Sequence, residues 1–355
     1  MADRIPLMLD VDTGIDDMLA LLYACASPEV ELVAVTCVAG NVDARQVAWN
    51  TRAVLELAGR ADVPVHLGRE APLVKPLITT PETHGPSGVG YASLPEPTRP
   101  LASDDAVGAI VDLARARPGE IGLVTLGPLT NLAVALEREP RLPGMLAGWT
   151  MMGGAYRVPG NTTPTSEWNL HVDPDAAKAV FARWPSAGGV LTRPIAMGLD
   201  VTERAILRPG HLGALARRGG ADPADADALA TQPMRVVGSV AANPLLRAIS
   251  DALRFYFEFH AAYDGFYGAF IHDPFVVAAA IDRSLVETQP VFVDVETGPG
   301  LAHAMTVADW RGITGTPPNV DVAIAGDADT FLERLVDRVG GLAAVQANDD
   351  ASMAR

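Results

Sequence analysis

The chain of 355 residues carries 27 basic and 43 acidic side chains, which gives a formal net charge of −16 at pH 7. This acidity, with no basic stripe, argues against a nucleic-acid partner, because binding to phosphate backbones needs clustered Lys and Arg. No stretch approaches the roughly 18 consecutive apolar residues of a membrane-spanning helix, and no basic-then-apolar leader opens the chain, so we expect a cytoplasmic protein that contacts no membrane.

Residues 10–17, which we call the acidic octet, follow the first apolar stretch of the chain. Residues 5–9 have the pattern of a short buried strand and residues 18–22 continue at helical spacing, so the octet spans a strand-to-helix turn. Like charges this close repel one another and raise one another's pKa. The cluster therefore needs a cation, a shared proton or separation by the fold, and its four carboxylates are Asp10, Asp12, Asp16 and Asp17.

Strand and helix patterns alternate after the octet. The apolar, β-branched residues 30–38 predict a second strand, residues 43–57 a helix and residues 63–67 a third strand. This β-α-β-α-β order is typical of a parallel sheet covered by helices. Ligands of such sheets bind beyond the carboxyl ends of the strands, which is where Asp12 and Asn41 fall.

The remainder of the chain extends this pattern, and we predict a single α/β domain over residues 1–345. Its fold class is a mostly parallel central sheet flanked by helices, a Rossmann-like arrangement with a small late antiparallel hairpin. Residues 204–270 have a mainly helical pattern, and a frayed tail is expected at 346–355. The other predicted elements are helices at 104–117, 130–137, 174–184 and 327–340, strands at 121–126, 149–152 and 319–325, and a hairpin of 291–295 with 305–307.

Two segments are open to more than one interpretation. Seven prolines and a glycine-rich run make residues 70–103 a long predicted loop. Long loops often close over binding sites, so His84 is either a lid residue or an ordinary exposed loop histidine. The aromatic residues of 253–267 form a helical stripe of the kind that is usually core, yet aromatic rings also stack on flat heterocycles.

Two polar groups lie further along the chain. Asn161, Glu167 and Asn169 place two amides and an acid within nine residues, and we call residues 161–169 the amide-acid loop. They are either turn residues or ligands of a polar substrate. His272 and Asp273 open an apolar helix, so His272 is either a core histidine or, beside an acid at a helix start, an active-site group.

The octet admits more than one chemistry. Counted as an EF-hand loop from Asp10, it lacks the glycine at the sixth position and the glutamate at the twelfth. An apolar strand running into Asp10 and Asp12 also resembles the opening of haloacid-dehalogenase-type phosphohydrolases, in which Asp10 would be the nucleophile and Asp12 a general acid. That interpretation leaves Asp16 and Asp17 without a role.

A third interpretation accounts for more of the chain. The octet, the amide of Asn41, the turn at 126–131, the amide-acid loop and the His-Asp pair occur in an order that resembles the inosine-uridine nucleoside N-ribohydrolase family. The resemblance extends over nearly the whole chain. Its motifs are Asp12-x-x-x-Asp16-Asp17, Asn41, Leu126-Gly127-Pro128-Leu129-Thr130-Asn131, Asn161…Glu167-x-Asn169 and His272-Asp273.

The resemblance implies a calcium-dependent enzyme, a homodimer or homotetramer, that hydrolyses the N-glycosidic bond of ribonucleosides and is pyrimidine-preferring or nonspecific. Asp12 would take a proton from water, and His272 would protonate the leaving base. The Ca²⁺ ligands would be Asp12, Asp17, Asp273 and the carbonyl of Leu126. The ribose would be bound by Asp16, Asn41, Met152, Asn161, Glu167 and Asn169, and the base pocket or lid would comprise His84, Tyr256, His260 and Tyr263.

Two alternatives remain beside this interpretation. One is the Mg²⁺ phosphohydrolase that uses Asp10, and the other is a non-catalytic protein that binds a nucleoside or calcium. Under the hydrolase interpretation, Asp10 only supports the cluster. Asn131, at the start of a predicted helix, is interpreted as a helix cap.

Overall fold

The computed structural model describes residues 4–184, 193–231 and 241–353, and for 230, 231 and 347–353 it describes the backbone alone. Its strands are β1 (Ile5–Val11), β2 (Val30–Cys37), β3 (Val65–Leu67), β4 (Gly122–Thr125), β5 (Gly148–Met152), β6 (Ile195–Met197), β7 (Ile206–Leu207), β8 (Ala269–Phe270), β9 (Val286–Val295), β10 (Thr306–Asp309) and β11 (Val320–Gly326). Its α-helices are α1 (Ile15–Ala26), α2 (Ala44–Leu57), α3 (Pro81–His84), α4 (Ala106–Ala116), α5 (Thr130–Arg138), α6 (Trp168–Val172), α7 (Pro174–Arg183), α8 (Leu199–Thr202), α9 (Pro209–Arg218), α10 (Pro223–Thr231), α11 (Pro244–Tyr263), α12 (His272–Ile281) and α13 (Ala328–Met353).

Nine of the described strands form one sheet, in the order β10-β9-β11-β6-β5-β4-β1-β2-β3. Every neighbouring pair from β11 to β3 is parallel. Strand β9 pairs antiparallel with both β11 and β10, and Thr306 lies opposite Val295 in the late hairpin. The predicted fold class, a mostly parallel sheet with a late antiparallel hairpin, is confirmed.

The order of the strands reverses at β1. Strand β1 lies between β2 and β4, so Asp10 is opposite Thr36 on one side and Thr125 on the other. Connections leave β1 and β4 toward different sides of the sheet, which opens a crevice at their carboxyl ends. Helix α1 begins at Ile15, directly beyond this crevice.

Alternating side chains of β1 separate two apolar layers. Leu7 and Leu9 pack into the layer that contains α1, α2, α11, α12 and α13. Met8 points to the opposite face of the sheet, where α4, α5 and α7 contribute the core. Helices therefore cover both faces of the sheet and hold the ends of its strands in place. Across the described ranges, none of the helices combines the length and apolar character that crossing a membrane requires.

The structure differs from the predicted elements in three places. Helix α3 interrupts the predicted loop at 70–103, with Pro81 at its first position, where the missing N–H costs nothing. Within 204–270, helices α9 to α11 confirm the helical prediction, but β7 and β8 pair antiparallel at its two ends. Residues 232–240 of that segment lie outside the described residues. Helix α13 continues to Met353, so the backbone is helical through most of the predicted frayed tail.

Candidate active site

Asp12 lies at the end of β1 with its two carboxylate oxygens in different surroundings. The backbone N–H of Asn41 donates to Asp12 Oδ2 at 2.8 Å. Asp12 Oδ1 is buried and has no hydrogen-bond partner among the described atoms. The loop after β2 therefore fixes one oxygen of Asp12 and leaves the other to bind something else.

Asp17 is tied to the turn that precedes it. Its Oδ2 accepts from the N–H of Gly14 at 2.8 Å, and its Oδ1 accepts from the N–H of Asp12 at 3.3 Å. Oxygens of Asp16, Asp17 and Asp273 lie within 4.8 Å of one another, so the start of α12 joins the cluster at the start of α1. The fold thus brings together carboxylates that are more than 250 residues apart in the sequence.

Burial raises the pKa of every carboxyl in this cluster, and repulsion between the carboxylates raises the pKa of Asp12, Asp16 and Asp273 further. Burial, and then the charge of Asp17, raises the pKa of Asp16 to about 8, while burial raises the pKa of Asp17 to about 6. The pKa values of Asp12 and Asp273 lie well above their ordinary range, because both groups are buried and both face the other carboxylates. A cation offsets such repulsion, and hard divalent ions bind oxygen ligands. The cluster therefore fits a metal ion.

Two glycines allow the backbone to approach Asp12 closely. A Cβ placed on Gly40 would overlap Asp12 Oδ2, and one placed on Gly127 would lie 2.8 Å from Asp12 Oδ1. Both positions follow strands next to β1, at the crevice. Glycine is required here because any larger residue would displace the carboxylate.

Asp10 lies behind the cluster rather than in it. Its Oδ1 accepts hydrogen bonds from Thr36 Oγ1 at 2.6 Å and from Asn131 Nδ2 at 2.8 Å, and its side chain is fully buried. Burial raises the pKa of Asp10 to about 7. The interpretation of Asn131 as a helix cap is wrong, because its amide holds Asp10 and the carbonyl of Cys37 instead.

Hydrogen bonds to backbone groups hold the amide-acid loop in place. Glu167 caps α6 by accepting from the N–H of Asn169 at 2.8 Å, and it also accepts from the N–H of Gly154. The amide of Asn169 donates to the carbonyl of Leu126 at 2.6 Å and lies 3.4 Å from the sulfur of Met152. The carbonyl predicted as a metal ligand is therefore accepting from Asn169 in this structure.

Three imidazoles face the acidic cluster, and their partners define their tautomers. His84 Nδ1 accepts from the N–H of Ile15 at 3.1 Å, which leaves its hydrogen on Nε2. Thr202 donates its only hydrogen to the carbonyl of Gly198, so His272 Nδ1, at 2.8 Å from Thr202 Oγ1, is the donor of that bond. His260 Nδ1 lies 2.7 Å from a carboxylate oxygen of Asp264.

The imidazoles are predominantly neutral at pH 7. Burial, reinforced by the other histidines, lowers the pKa of His84 and of His272 to about 3. Burial also lowers the pKa of His260, although Asp264 acts in the opposite direction. A neutral imidazole in a buried site is ready to exchange a proton with a bound molecule.

One cavity of about 510 Å³ joins these groups. Fourteen of the fifteen predicted site residues line it, and the exception, Asp17, is fully buried. Asp10 does not line the cavity. No lysine or arginine is present among the described residues that line it, so it is strongly acidic. Its predicted lining residues are Asp12, Asp16, Asn41, His84, Leu126, Met152, Asn161, Glu167, Asn169, Tyr256, His260, Tyr263, His272 and Asp273.

Several lining residues were absent from the prediction. Asp264 stands four residues after His260, a helical spacing that would have indicated a pair. Glu203 and Phe270 carried no such signal, because Glu203 follows the short helix α8 and Phe270 ends the short strand β8, and the positions of both elements depend on the tertiary fold. The other lining residues outside the set of predicted site residues are Thr80, Glu82, Thr83, Gly160, Thr162, Trp168 and Phe259.

A parallel sheet that places buried carboxylates and three imidazoles around one cavity defines an α/β enzyme with metal-binding and acid–base groups. A sequence model described as inosine-uridine preferring nucleoside hydrolase matches residues 7–333, and the chain belongs to this family. It is an N-ribohydrolase, which hydrolyses the N-glycosidic bond of ribonucleosides. The family generally binds a metal ion. The phosphohydrolase and non-catalytic alternatives are therefore wrong.

Individual relatives agree with this assignment. The chain is 36% identical over 337 residues to the pyrimidine-specific ribonucleoside hydrolase RihA of Enterobacter sp. (strain 638), covering 94% of this chain and 97% of the relative. The structure of a purine-preferring ribonucleoside hydrolase from Gardnerella vaginalis matches with a TM-score of 0.82 at 29% identity, over 96% and 99% of the two chains. A plant nucleoside hydrolase matches with a TM-score of 0.79 at 28% identity, over 95% and 99%.

Proposed function

We propose that this N-ribohydrolase uses Ca²⁺ and prefers pyrimidine ribonucleosides. The observation that carries the proposal is the division of the cavity, in which an all-oxygen cluster and the amide-acid loop are joined to a group of imidazoles and aromatic rings. The first part suits a cation and the hydroxyls of a ribose, and the second suits a flat base. The base preference rests on the 36% identity to a pyrimidine-specific relative.

Asp12, Asp17, Asp273 and the carbonyl of Leu126 are the proposed ligands of the ion. Ca²⁺ takes six to eight oxygen ligands in roughly this kind of flexible arrangement, whereas Mg²⁺ demands a smaller octahedral shell. A bound ion would supply Lewis-acid chemistry to the site by lowering the pKa of a nearby water molecule. Asp12 Oδ1, buried without a partner among the described atoms, is the proposed acceptor of the proton from the attacking water.

The ribose is assigned to the polar residues between the cluster and the amide-acid loop. Asp16 and Glu167 offer carboxylate acceptors, and the amides of the group offer donors and acceptors to the 2′-, 3′- and 5′-hydroxyls. Contacts that hold the sugar in place lower the entropic part of the barrier. The proposed ribose ligands are Asp16, Asn41, Met152, Asn161, Glu167 and Asn169.

The base is assigned to the imidazole and aromatic part of the cavity. His272 is the proposed general acid. Its Nδ1–H is donated to Thr202, so Nε2 of the neutral ring is free to take up a proton and pass it to the leaving base. His84 presents an Nε2–H group from the short helix α3 and closes the pocket beside Tyr256, with ring centroids 5.5 Å apart. His260 and Tyr263 complete the proposed base pocket on α11.

A panel assay tests the proposal. Purified protein is treated with a chelator and then supplied with Ca²⁺ or Mg²⁺, and release of ribose is measured with uridine, cytidine, inosine, adenosine and guanosine. We expect activity to return with Ca²⁺ and kcat/KM to be highest for uridine or cytidine. Higher values for the purine nucleosides would overturn the base preference, and equal activity after chelation would overturn the metal requirement.

Three further properties remain predictions. We propose that residues 1–345 form one domain, that the protein is a homodimer or homotetramer, and that it acts in the cytoplasm. Light scattering coupled to gel filtration measures the mass of the assembly directly. A monomeric mass at micromolar concentration would contradict the predicted oligomer.

A further inference from the structure

A histidine–carboxylate pair lies in the cavity beside the groups already assigned. His260 and Asp264 are four residues apart at the end of α11, which places both side chains on one face of the helix. His260 Nδ1 lies 2.7 Å from Asp264 Oδ2, and both residues line the cavity. The side chain of His260 is 5% exposed, whereas that of Asp264 is 40% exposed and reaches solvent.

The other ring nitrogen of His260 has no partner. His260 Nε2 is buried and makes no hydrogen bond to any described atom. A buried polar nitrogen without a partner is rare in folded proteins and calls for an explanation. Because the ring lines the substrate cavity, a group of the bound molecule is the partner that Nε2 lacks.

The partners of the three imidazoles distinguish their roles. His84 binds a backbone N–H, which opposes protonation of its Nδ1, and His272 binds the neutral hydroxyl of Thr202. Among the three, His260 alone has a carboxylate within hydrogen-bond distance in the described structure. A carboxylate partner stabilises the imidazolium ion and fixes the tautomer that leaves Nε2 facing away from it.

We propose that His260 is a second proton donor to the leaving base and that Asp264 is the positioning residue that prepares it. This inference rests on the proposed nucleoside hydrolysis and adds a residue pair to it. When His260 is the donor, the N-glycosidic bond breaks with its electron pair going to the base, and the base takes its single proton from Nε2 of the His260 imidazolium instead of from His272. Water forms the new bond to the sugar and gives its proton to Asp12. Solvent then takes the proton from Asp12 and returns one to His260, so one water molecule is consumed.

The surroundings of His260 explain why it needs Asp264. Phe266 stacks on the imidazole with ring centroids 5.4 Å apart, and Phe259 and Phe270 contact its edges at 5.2 and 4.9 Å. These apolar rings disfavour a charged imidazole, and burial lowers the pKa of His260 while Asp264 raises it. The other titratable groups near the pair are Tyr256 on α11, His84 on α3, His272 on α12, and Glu203, which interacts with Asp264.

The test compares Asp264→Asn with the control Glu258→Gln, which also removes a carboxylate from α11. The carboxylate of Glu258 accepts a hydrogen bond from Tyr91, and Glu258 does not line the cavity. Uridine is assayed beside p-nitrophenyl riboside, whose leaving group needs no proton. We expect Asp264→Asn to lower kcat for uridine about 30-fold, and His260→Gln about 100-fold, since general acids contribute roughly 10²- to 10⁴-fold. Both variants should retain activity on p-nitrophenyl riboside within about 3-fold, which also shows that they fold.

The pH profile separates positioning from a structural role. Loss of Asp264 lowers the pKa of His260, so the alkaline limb of kcat for uridine should move to lower pH in Asp264→Asn and return in Asp264→Glu. Equal losses on both substrates, or an unchanged alkaline limb, would overturn the role of the pair. Absence of nucleoside cleavage by the wild-type protein would instead overturn the proposed function as well.

Discussion

The backbone N–H of Asn41 donates to Asp12 Oδ2 at 2.8 Å, while Asp12 Oδ1 is buried without a partner in the described structure. The loop after β2 therefore orients a carboxylate that belongs to β1. One oxygen is satisfied by the protein, and the other is free for an ion or a water molecule. This asymmetry makes Asp12 the residue whose removal should damage both metal binding and chemistry.

Substitution of Asp12 by alanine should abolish ribose release. The change removes a proposed metal ligand and the proposed acceptor of the water proton, so kcat should fall by at least about 10³-fold. Isothermal titration should show weaker binding of Ca²⁺ by the same variant. The control is Asp104→Ala, which removes an exposed carboxylate outside the substrate cavity. Undiminished turnover in Asp12→Ala would contradict the assignment of Asp12.

Substitution of Gly40 by alanine should inactivate the enzyme without removing any functional group. A Cβ at this position would overlap Asp12 Oδ2 and force the carboxylate away from its bond to Asn41. We expect kcat to fall by about 10²-fold, because misplacement of a catalytic group by about 1 Å has an effect of this size. Gly210→Ala is the matched control, since a Cβ there meets nothing within 4 Å. Equal activities of the two variants would show that the position of Asp12 is not critical.

Substitution of His272 by alanine should affect substrates according to their leaving groups. A base that must be protonated depends on the acid, so turnover of uridine should fall by about 10²-fold. Turnover of p-nitrophenyl riboside should change by no more than a few fold, because p-nitrophenolate leaves without a proton. Steady-state kinetics on the two substrates provide the measurement and the control together. Equal losses on both would remove His272 as the acid.

The acidic octet could be located from the sequence because its neighbours are strongly patterned. Apolar residues before it and helical spacing after it define the strand-to-helix turn, and the structure begins α1 at Ile15 as this pattern requires. Position at the carboxyl end of a parallel strand then follows from the fold class. Local periodicity was therefore enough to predict both the strand and helix around the octet and the position of the site at the end of the strand.

Contacts between distant parts of the chain could not be predicted from sequence periodicity. Asn131 holds Asp10 across 121 residues of sequence, and local pattern made the same asparagine look like a helix cap. Glu203 enters the cavity because α8 follows β6, a connection whose direction depends on the whole sheet. Such partners are determined by tertiary packing, and a single sequence holds no periodic signal for them.

Glu203 should make stability depend on pH in a direction unusual for a carboxylate. Burial raises its pKa to about 7, and the charges of Asp264 and Asp200 add to the effect. A folded-state pKa above the unfolded value means that Glu203 favours folding below about pH 4.5 and that this contribution is lost as pH rises toward 7. Glu203→Gln keeps the shape of the side chain but cannot ionise, so it escapes this loss.

Thermal unfolding at pH 5 and pH 8 checks this expectation. The Tm of Glu203→Gln should exceed that of the wild-type protein by more at pH 8 than at pH 5, because the half-buried carboxylate of Glu203 is charged mainly at the higher pH. Glu333→Gln, at an exposed position of α13, is the control and should show the same difference from wild type at both pH values. A difference for Glu203→Gln that is constant with pH, or that shrinks at pH 8, would mean that Glu203 ionises in the folded protein as it does in water.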